Sequence, residues 1–393
     1  MALPMADAFL NRKGVDRWRS GHPWIYRSGI DRVEEDTGAE GIARLLDYRR
    51  RVMGHAFLSR DSQITLRVLS GAYEVPDEAM FRKRLENALA WRRSFGTRPS
   101  AERLVFGESD GLPGVVVDRY ENHLVVQFLS AGAESLRSVL VPLMVEVFEP
   151  ESILGRNDTT VRRLEGLPLE VVQLHGSTPD TVEYHEGDLK FTANPRTGQK
   201  TGAFLDQVGN HVRVGRLARG RVYDGFSYAG GFALAAAAGG AESVVAVETS
   251  ASAVAQIQAN AKANRVKNLE VVDGNVFDDL RTRFQKKERF DVIVLDPPAF
   301  AKNKRELPGA LRGYKEINLR AMKILAPGGI LVTCSCSYQL TESLFDEVLT
   351  AGAGDARRTF RVRERPEQPH DHPIRLGFPE SRYLKCRVLE SLE

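Results

Sequence analysis

The chain has 393 residues, 55 Lys and Arg against 52 Asp and Glu, a formal charge of +3, and 42% hydrophobic residues. That length reads as two or three domains rather than one core, and the apolar share suffices for a packed interior in each. No run approaches the ~20 apolar residues of a membrane span. The N-terminus MALPMADAFLNRKG lacks the pattern of a secretion signal, so a cytoplasmic location is expected, and a charge of only +3 argues weakly for an anionic partner and excludes nothing.

Residues 1–75 read as a small β-rich unit. The apolar runs Gly41–Tyr48, Val52–Leu58 and Thr65–Leu69 are separated by charged or glycine turns, as in a compact barrel. Arg49, Arg50 and Arg51 fall between two runs, as a solvated hairpin tip or a phosphate contact. Residues 77–96 predict a helix, with Phe81, Leu85 and Leu89 at helical spacing, Asp77 and Glu78 at its start and Gly96 closing it. Arg92 and Arg93 near its end complement the helix dipole. Residues 103–180 then predict strand, strand, helix, strand, strand. The strands are LVFGESD, GVVVDRYENHLVVQFL, ESILGRND and LEVVQLHG, and Glu134–Phe148 is the helix of this small α+β domain. A hairpin follows in TVEYHEGDLKFTANP, turning at Glu186-Gly187-Asp188.

From about residue 200 apolar strands alternate with helices, the signature of an open, doubly wound α/β sheet. The predicted strands are Arg221–Asp224, Ser243–Glu248, Leu269–Asp273, Val292–Asp296 and Gly329–Cys334. The predicted helices are Phe232–Ala238, Ala251–Asn264, one after Val276 and one around Tyr314–Leu325. Ligands of such sheets sit beyond the carboxyl ends of the strands. The residues there are therefore the candidates.

The first strand runs into Asp224-Gly225-Phe226-Ser227-Tyr228-Ala229-Gly230-Gly231. Its glycines let a ligand approach the backbone, and the next helix offers free N–H groups. The acid precedes the glycines, unlike the dinucleotide fingerprint G-x-G-x-x-G. Glu248, ending the second strand, can hold a ribose diol of either a nicotinamide dinucleotide or S-adenosylmethionine. Asp273 and Asn275 end the third, where an amide can read an adenine edge. Each polar residue alone suits a turn or a cap, but their succession at consecutive strand ends points to a nucleoside ligand. The fourth strand ends in Asp296-Pro297-Pro298-Ala299-Phe300. The prolines stop the ladder, and an acid directly after IVL is costly there unless used or paired. The fifth delivers Cys334, Ser335, Cys336 and Ser337. Cys334 suits a small hydrophobe, whereas Cys336 lies where the strand leaves the core and reads as a nucleophile facing an acid. With Cys386 the cysteines number three, a poor disulfide framework. His370 and His372 stand too far away in sequence to make a zinc set, so no metal is expected.

DGFSYAGGFALAAA, VIVLDPPAFAK, GYKEINLRAMKILAPGGILVTCSCS and NPRTGQKTGAFLDQ together resemble the bacterial class I S-adenosylmethionine-dependent methyltransferases of the ribosomal RNA large subunit methyltransferase I type, which form 5-methylcytidine. GHPWIYRSGI is similar to the start of that family's N-terminal PUA RNA-binding domain, and FGESDGLPGVVVDRY and ILGRNDTTVRRLEGL to its central domain. The resemblance implies a Rossmann-like sheet preceded by a PUA-like barrel and a small α+β domain, divided at 1–75, 76–185 and 186–393. It implies S-adenosylmethionine as cofactor, large-subunit ribosomal RNA as substrate, and a homodimer. It implies that Asp224, Phe226, Ser227 and Gly230 form the cofactor loop, that Glu248 holds the ribose where many relatives have Asp, and that Asn275 lies beside the adenine. Gln199, Lys200, Thr201 and Gly202 would close over the cofactor with Phe204 beneath, and Asp296 and Pro297 belong to the DPP motif. Cys336 would be the nucleophile, its thiolate adding to carbon 6 of cytosine while Asp296 holds N3.

Lys302, Lys304, Arg305, Arg312, Tyr314 and Lys315 follow the DPP turn. A loop of that composition can bind phosphate and stack a flipped base, or simply be solvated. The run Arg357–Arg365 reads as an exposed edge strand. His370 suits a proton shuttle or a structural role. Three other functions compete: methylation of an exocyclic amino group, which needs no thiol; a non-catalytic RNA-binding factor on the same fold; and a nicotinamide dehydrogenase, which the glycine spacing disfavours.

Overall fold

The computed structural model describes residues 5–34, 41–96, 98–301, 303 and 305–393. It divides into two compact units. One comprises Met1–Tyr184, Ala193–Leu205 and His370–Arg382, the other His185–Thr192, Asp206–Pro369 and Tyr383–Glu393. No helix among the described residues is long and apolar enough to cross a membrane.

The first unit contains two sheets. Six strands run in the order Trp24–Ile25, Leu66–Gly71, Val52–Leu58, Ile42–Leu46, Ala6–Leu10, Ile30–Glu34. Alternation turns Ala6, Ala8 and Leu10 inward, onto a core with Val15, Ile25, Leu45, Ala56 and Leu66. The helix Glu78–Arg93 starts at Asp77, whose carboxylate accepts the Met80 N–H at 2.8 Å. The second sheet has five strands in the order Glu170–Gly176, Ser152–Asn157, His123–Phe128, Val115–Tyr120, Ala101–Phe106. Two expectations are corrected here. GVVVDRYENHLVVQFL is not one strand but a hairpin of Val115–Tyr120 and His123–Phe128, turning at Glu121 with φ +52°. The expected helix Glu134–Phe148 is two, Ala131–Ser135 and Arg137–Phe148, because Ser130 caps the first at Ala133 N and the chain breaks at Leu136.

The second unit is built on seven strands: β1 (Arg221–Gly225), β2 (Ser243–Glu248), β3 (Leu269–Asp273), β4 (Phe290–Leu295), β5 (Leu325–Ser335), β6 (Phe360–Glu364) and β7 (Lys385–Ser391). Their order is β3-β2-β1-β4-β5-β7-β6. β1 to β5 are parallel, and β7 runs antiparallel between β5 and β6. SVVAVE and FDVIVL read as continuous apolar runs because helices cover both faces. Those helices are α1 (Val208–Leu217), α2 (Gly231–Ala238), α3 (Ala251–Ala263), α4 (Val276–Gln285), α5 (Leu307–Ile324) and α6 (Glu342–Ala356). Ile317, Ala321, Phe345 and Leu349 of α5 and α6 pack onto Ile293, Leu295 and Leu331. The winding reverses between β1 and β4, which opens a crevice at their carboxyl ends. β6 is the edge strand expected in Arg357–Arg365. The helix expected around Tyr314 starts seven residues earlier, at Leu307, since Pro308 is tolerated in a first helical turn. Arg312, Tyr314 and Lys315 are therefore helical rather than in a loop.

Candidate active site

Asp224 is the penultimate residue of β1 and is 0% exposed, yet neither carboxylate oxygen has a hydrogen-bond partner. Burial pushes its pKa up to about 7, with Ser227 and His211 opposing the shift and Asp296 adding to it. A buried carboxylate left unpaired is costly, so this position suits a cationic or N–H-bearing ligand. The turn after it is held against β2. Phe226 and Ser227 N–H groups donate to the Val247 carbonyl at 3.0 and 3.2 Å, and the Ser227 hydroxyl donates to the Asp224 carbonyl at 2.8 Å. Phe226 and Tyr228 adopt left-handed conformations, φ +66° and +48°. Strain of that kind, on the order of 1–3 kcal/mol per residue, gathers at ligand sites. Glycine is required twice. Gly230 has φ +86°, and a Cβ at Gly231 would fall 2.2 Å from the His211 ring.

His211 is a residue that the sequence reading passed over. It is buried on α1, its Nδ1 is 2.6 Å from a Glu186 carboxylate oxygen, and its ring meets Phe232 edge-on. Burial alone would lower its pKa, but the charge and hydrogen bond of Glu186 raise it.

Glu248 ends β2, and its carboxylate accepts N–H groups of Tyr228 (3.0 Å), Thr249 (2.8 Å) and Ser250 (2.9 Å). The longer acid is thus pinned by backbone, half-buried, at the place where a ribose diol is expected. Asn275 is exposed and caps α4, its Oδ1 accepting the Phe277 N–H at 2.9 Å. With the oxygen committed, its amide N–H groups remain the part suited to an adenine nitrogen.

Asp296 directly follows β4, half-buried, its N–H pointing to the Gly225 carbonyl at 3.4 Å. Pro297 is buried and Pro298 exposed. Cys336 directly follows β5, partly exposed and in no disulfide, while Cys334 is fully buried and paired in register with Cys386. Contact with Cys386 and burial push the Cys334 thiol well up, which fits a structural residue. The Cys336 segment is fastened on both sides. Ser335 Oγ donates to Tyr314 Oη at 2.9 Å, the Ser337 N–H donates to Ser335 Oγ at 3.2 Å, and Ser337 Oγ donates to the Ala301 carbonyl at 2.9 Å. Burial pushes the Tyr314 phenol up, the Ser335 hydrogen bond opposing and the charges of Cys336 and Asp296 adding.

The expectation that Tyr314 meets RNA is corrected by its position. It is 0% exposed, 4.7 Å from Phe300 and 6.0 Å from Phe345 between ring centroids. Helical spacing turns it into the core beneath the site. Arg312 is exposed on α5, and Lys315 pairs with Asp355 at 2.7 Å. Lys302 and Lys304 lie outside the described residues.

Gln199, Lys200, Thr201, Gly202 and Phe204 belong to the first unit and form a turn of their own. The Gly202 N–H donates to the Gln199 carbonyl at 3.0 Å, and Lys200 Nζ stands 4.2 Å over the Phe204 ring. Thr201 is buried, its hydroxyl donating to Asp118 at 2.5 Å. His370 stacks on Phe95 at 4.0 Å and His372 is buried with Nδ1 2.8 Å from Asp371, both structural arrangements of that unit. Also in this unit, Phe9, Arg12, Arg32, Tyr48 and Arg50 line a 380 Å³ pocket, with the Arg32 guanidinium 3.9 Å over the Phe9 ring.

A family model described as S-adenosylmethionine-dependent methyltransferase matches residues 156–376, and one described as a PUA-like domain matches residues 9–71. The chain is 39% identical over 378 residues to a Cronobacter sakazakii protein named ribosomal RNA large subunit methyltransferase I, spanning 94% of this chain and 96% of that one. A Tolumonas auensis relative of the same name is 41% identical over 379 residues, with the same coverage. The fold is like that of a solved Streptococcus mutans structure described as a methyltransferase dependent on S-adenosylmethionine, at TM-score 0.84 and 20% identity over 98% of this chain and 100% of that one. A further structure, described as a methyltransferase complexed with SAH, matches at TM-score 0.85 and 20% identity, over 98% and 100% of the two chains.

Proposed function

The chain belongs to the ribosomal RNA large subunit methyltransferase I family, and from that premise we propose that it forms 5-methylcytidine in large-subunit ribosomal RNA, with Cys336 as nucleophile and Asp296 as its acidic partner. The observation that supports this reading most is the half-exposed thiol at the end of β5, tied by Ser337 to the turn that begins with Asp296.

The cofactor is S-adenosylmethionine, and the residues at the strand ends suit it. Asp224 offers an unmatched buried carboxylate to its positive charge, Glu248 offers acceptors to ribose hydroxyls, and Asn275 offers donors to adenine. Ser227, Gly230 and Phe226 shape the turn between them. The cofactor, when bound, supplies an electrophilic methyl group. The chain's own task is to make carbon 5 of cytosine nucleophilic. The Cys336 thiolate adds its electron pair to carbon 6, forming a carbon–sulfur bond and pushing charge toward carbon 5 and N3. Asp296, protonated, holds N3 by a hydrogen bond as that charge grows; such help contributes ~10²–10⁴-fold. After carbon 5 is methylated its proton leaves to a base, and the electron pair of that bond expels Cys336 and restores the ring.

The RNA reading rests on the PUA-like match and on the pocket of Arg12, Arg32 and Arg50 with Phe9 and Tyr48. Guanidiniums beside the exposed Tyr48 ring suit phosphate and base together, with Phe9 buried and Asp31 and Asp47 also in the lining. Arg312 and Lys302, Lys304 and Lys315 are assigned the same partner. Gln199, Lys200, Thr201, Gly202 and Phe204 are assigned to closure over the cofactor. The reading includes the domain division at 75 and 185, a cytoplasmic location and a homodimer, which light scattering checks. Bisulfite mapping of ribosomal RNA from cells with and without the gene tests the whole. One cytidine should lose its protection in the deletion; an unchanged map contradicts the reading.

A further inference from the structure

β7 begins with a lysine inside the protein. Lys385 is 4% exposed and lies opposite Ser335 in the antiparallel register with β5. Its Nζ donates to the Ser337 carbonyl at 2.9 Å and to the Tyr383 carbonyl at 2.7 Å. Packing does not call for an ammonium here, because an apolar chain of similar length fills a strand position without the cost of burying a charge. What the ammonium does reach is the backbone directly after Cys336. Consecutive Cα atoms stand 3.8 Å apart, so the carbonyl that the ammonium holds belongs to the residue next to the thiol. Ser335 and Ser337 fasten the segment to α5 and to the DPP turn, and Lys385 fastens it to β7.

Resting on the reading of Cys336 as the nucleophile, we propose that Lys385 is its positioning residue: the ammonium anchors the Ser335–Ser337 segment and supplies the fixed positive charge beside which Cys336 ionises. The proton goes to water at the exposed side of the thiol, and no electron changes owner. Among the described residues, other groups near the segment supply no positive charge to that ionisation. Asp296 on the DPP turn, protonated in the proposed mechanism, supplies no positive charge. Tyr314 on α5 is held neutral by burial, the Tyr383 hydroxyl is turned to Asp206 at 2.5 Å, and the thiols of Cys334 and Cys386 are buried in the strand pair.

The test is the pH dependence of Cys336 alkylation by iodoacetamide in the full chain, read by peptide mass spectrometry, with buried Cys334 and Cys386 as internal references. Wild type should react with a midpoint below the ordinary thiol value of about 8.5; a midpoint at or above that value overturns the proposal without any variant. Lys385→Gln keeps one donor and removes the charge. It should raise the midpoint by about one pH unit and lower kcat at least tenfold, with KM for S-adenosylmethionine within twofold, whereas Lys385→Arg should keep the low midpoint. Lys385→Met poses the same question if the Gln variant does not fold. A folded, charge-free variant with the wild-type midpoint overturns the proposal. The nucleophile reading fails separately, if protein alkylated at Cys336 still methylates RNA.

Discussion

The Ser337 hydroxyl donates to the Ala301 carbonyl at 2.9 Å, and this bond joins the segment carrying Cys336 to the turn carrying Asp296. Ser337→Ala leaves that carbonyl unsatisfied in a buried place, which costs about 1–3 kcal/mol. It also frees the two reacting groups to drift, and misplacement on the scale of 1 Å costs roughly 10²-fold in rate. We expect a modest drop in Tm, a 10- to 100-fold loss in single-turnover methylation, and unchanged donor affinity by calorimetry. A variant with full rate would mean that the link plays no part in alignment.

Asp224 makes donor binding and apo stability respond to pH in opposite directions. Its pKa rises from 3.8 to about 7 on folding, so the folded state holds a proton that the unfolded state has lost. Stability is therefore undiminished below pH 3.8, falls as pH rises toward 7, and stays reduced above, by on the order of 4 kcal/mol. The cationic donor wants the ionised form, so its affinity should rise between pH 5.5 and 8 with protons released on binding. Asp224→Asn should raise the apo Tm at pH 8, flatten the affinity profile and weaken binding at least tenfold. Calorimetry in buffers of different ionisation enthalpy reads the protons directly; no release at pH 6.5 would contradict the assignment.

Tyr314 belongs to the core and should behave so. Tyr314→Phe removes the acceptor of the Ser335 hydroxyl and should cost about 1 kcal/mol, while Tyr314→Ala should cost about 3–5 kcal/mol through the cavity it leaves. RNA affinity of the Phe variant, measured by fluorescence anisotropy, should match wild type. A large loss of affinity without loss of stability would return Tyr314 to the RNA surface.

Much of the second unit was legible because its central strands β1, β2, β4 and β5 are buried on both faces. Apolar runs then mark them, and the polar residues at their carboxyl ends stand at the crevice. The three extra strands of the first sheet, Ala6–Leu10, Trp24–Ile25 and Ile30–Glu34, escaped because they are short and mix charge with apolar residues. The hairpin at Glu121 carries no glycine or proline at its tip, so two strands read as one. Tyr314 misled through its basic neighbours. On a helix, residues one and two apart face different ways, and Arg312 is exposed where Tyr314 is not. His211 and Glu186 lie far apart in sequence and meet only in the fold. Lys385 left a trace, a lysine opening the apolar strand KCRVL, but its target was a backbone carbonyl, which no sequence pattern records.

Gly231 and His211 form a tight pair that a double mutant can isolate. Gly231→Ala places a methyl 2.2 Å from the imidazole and should cost about 1–3 kcal/mol by overpacking. His211→Ala removes the obstacle, so the double variant should be more stable than the sum of the singles. Denaturant melts of the four proteins give the coupling; strict additivity would show that the ring simply moves aside.

The central claim is that Cys336 attacks cytosine so that carbon 5 can be methylated. Nucleoside mass spectrometry of large-subunit RNA treated with wild type and with Cys336→Ala tests it most directly. The account predicts 5-methylcytidine from wild type and none from the variant, with donor binding intact in both. An N-methylated base from wild type, or 5-methylcytidine still formed by Cys336→Ala, would contradict it.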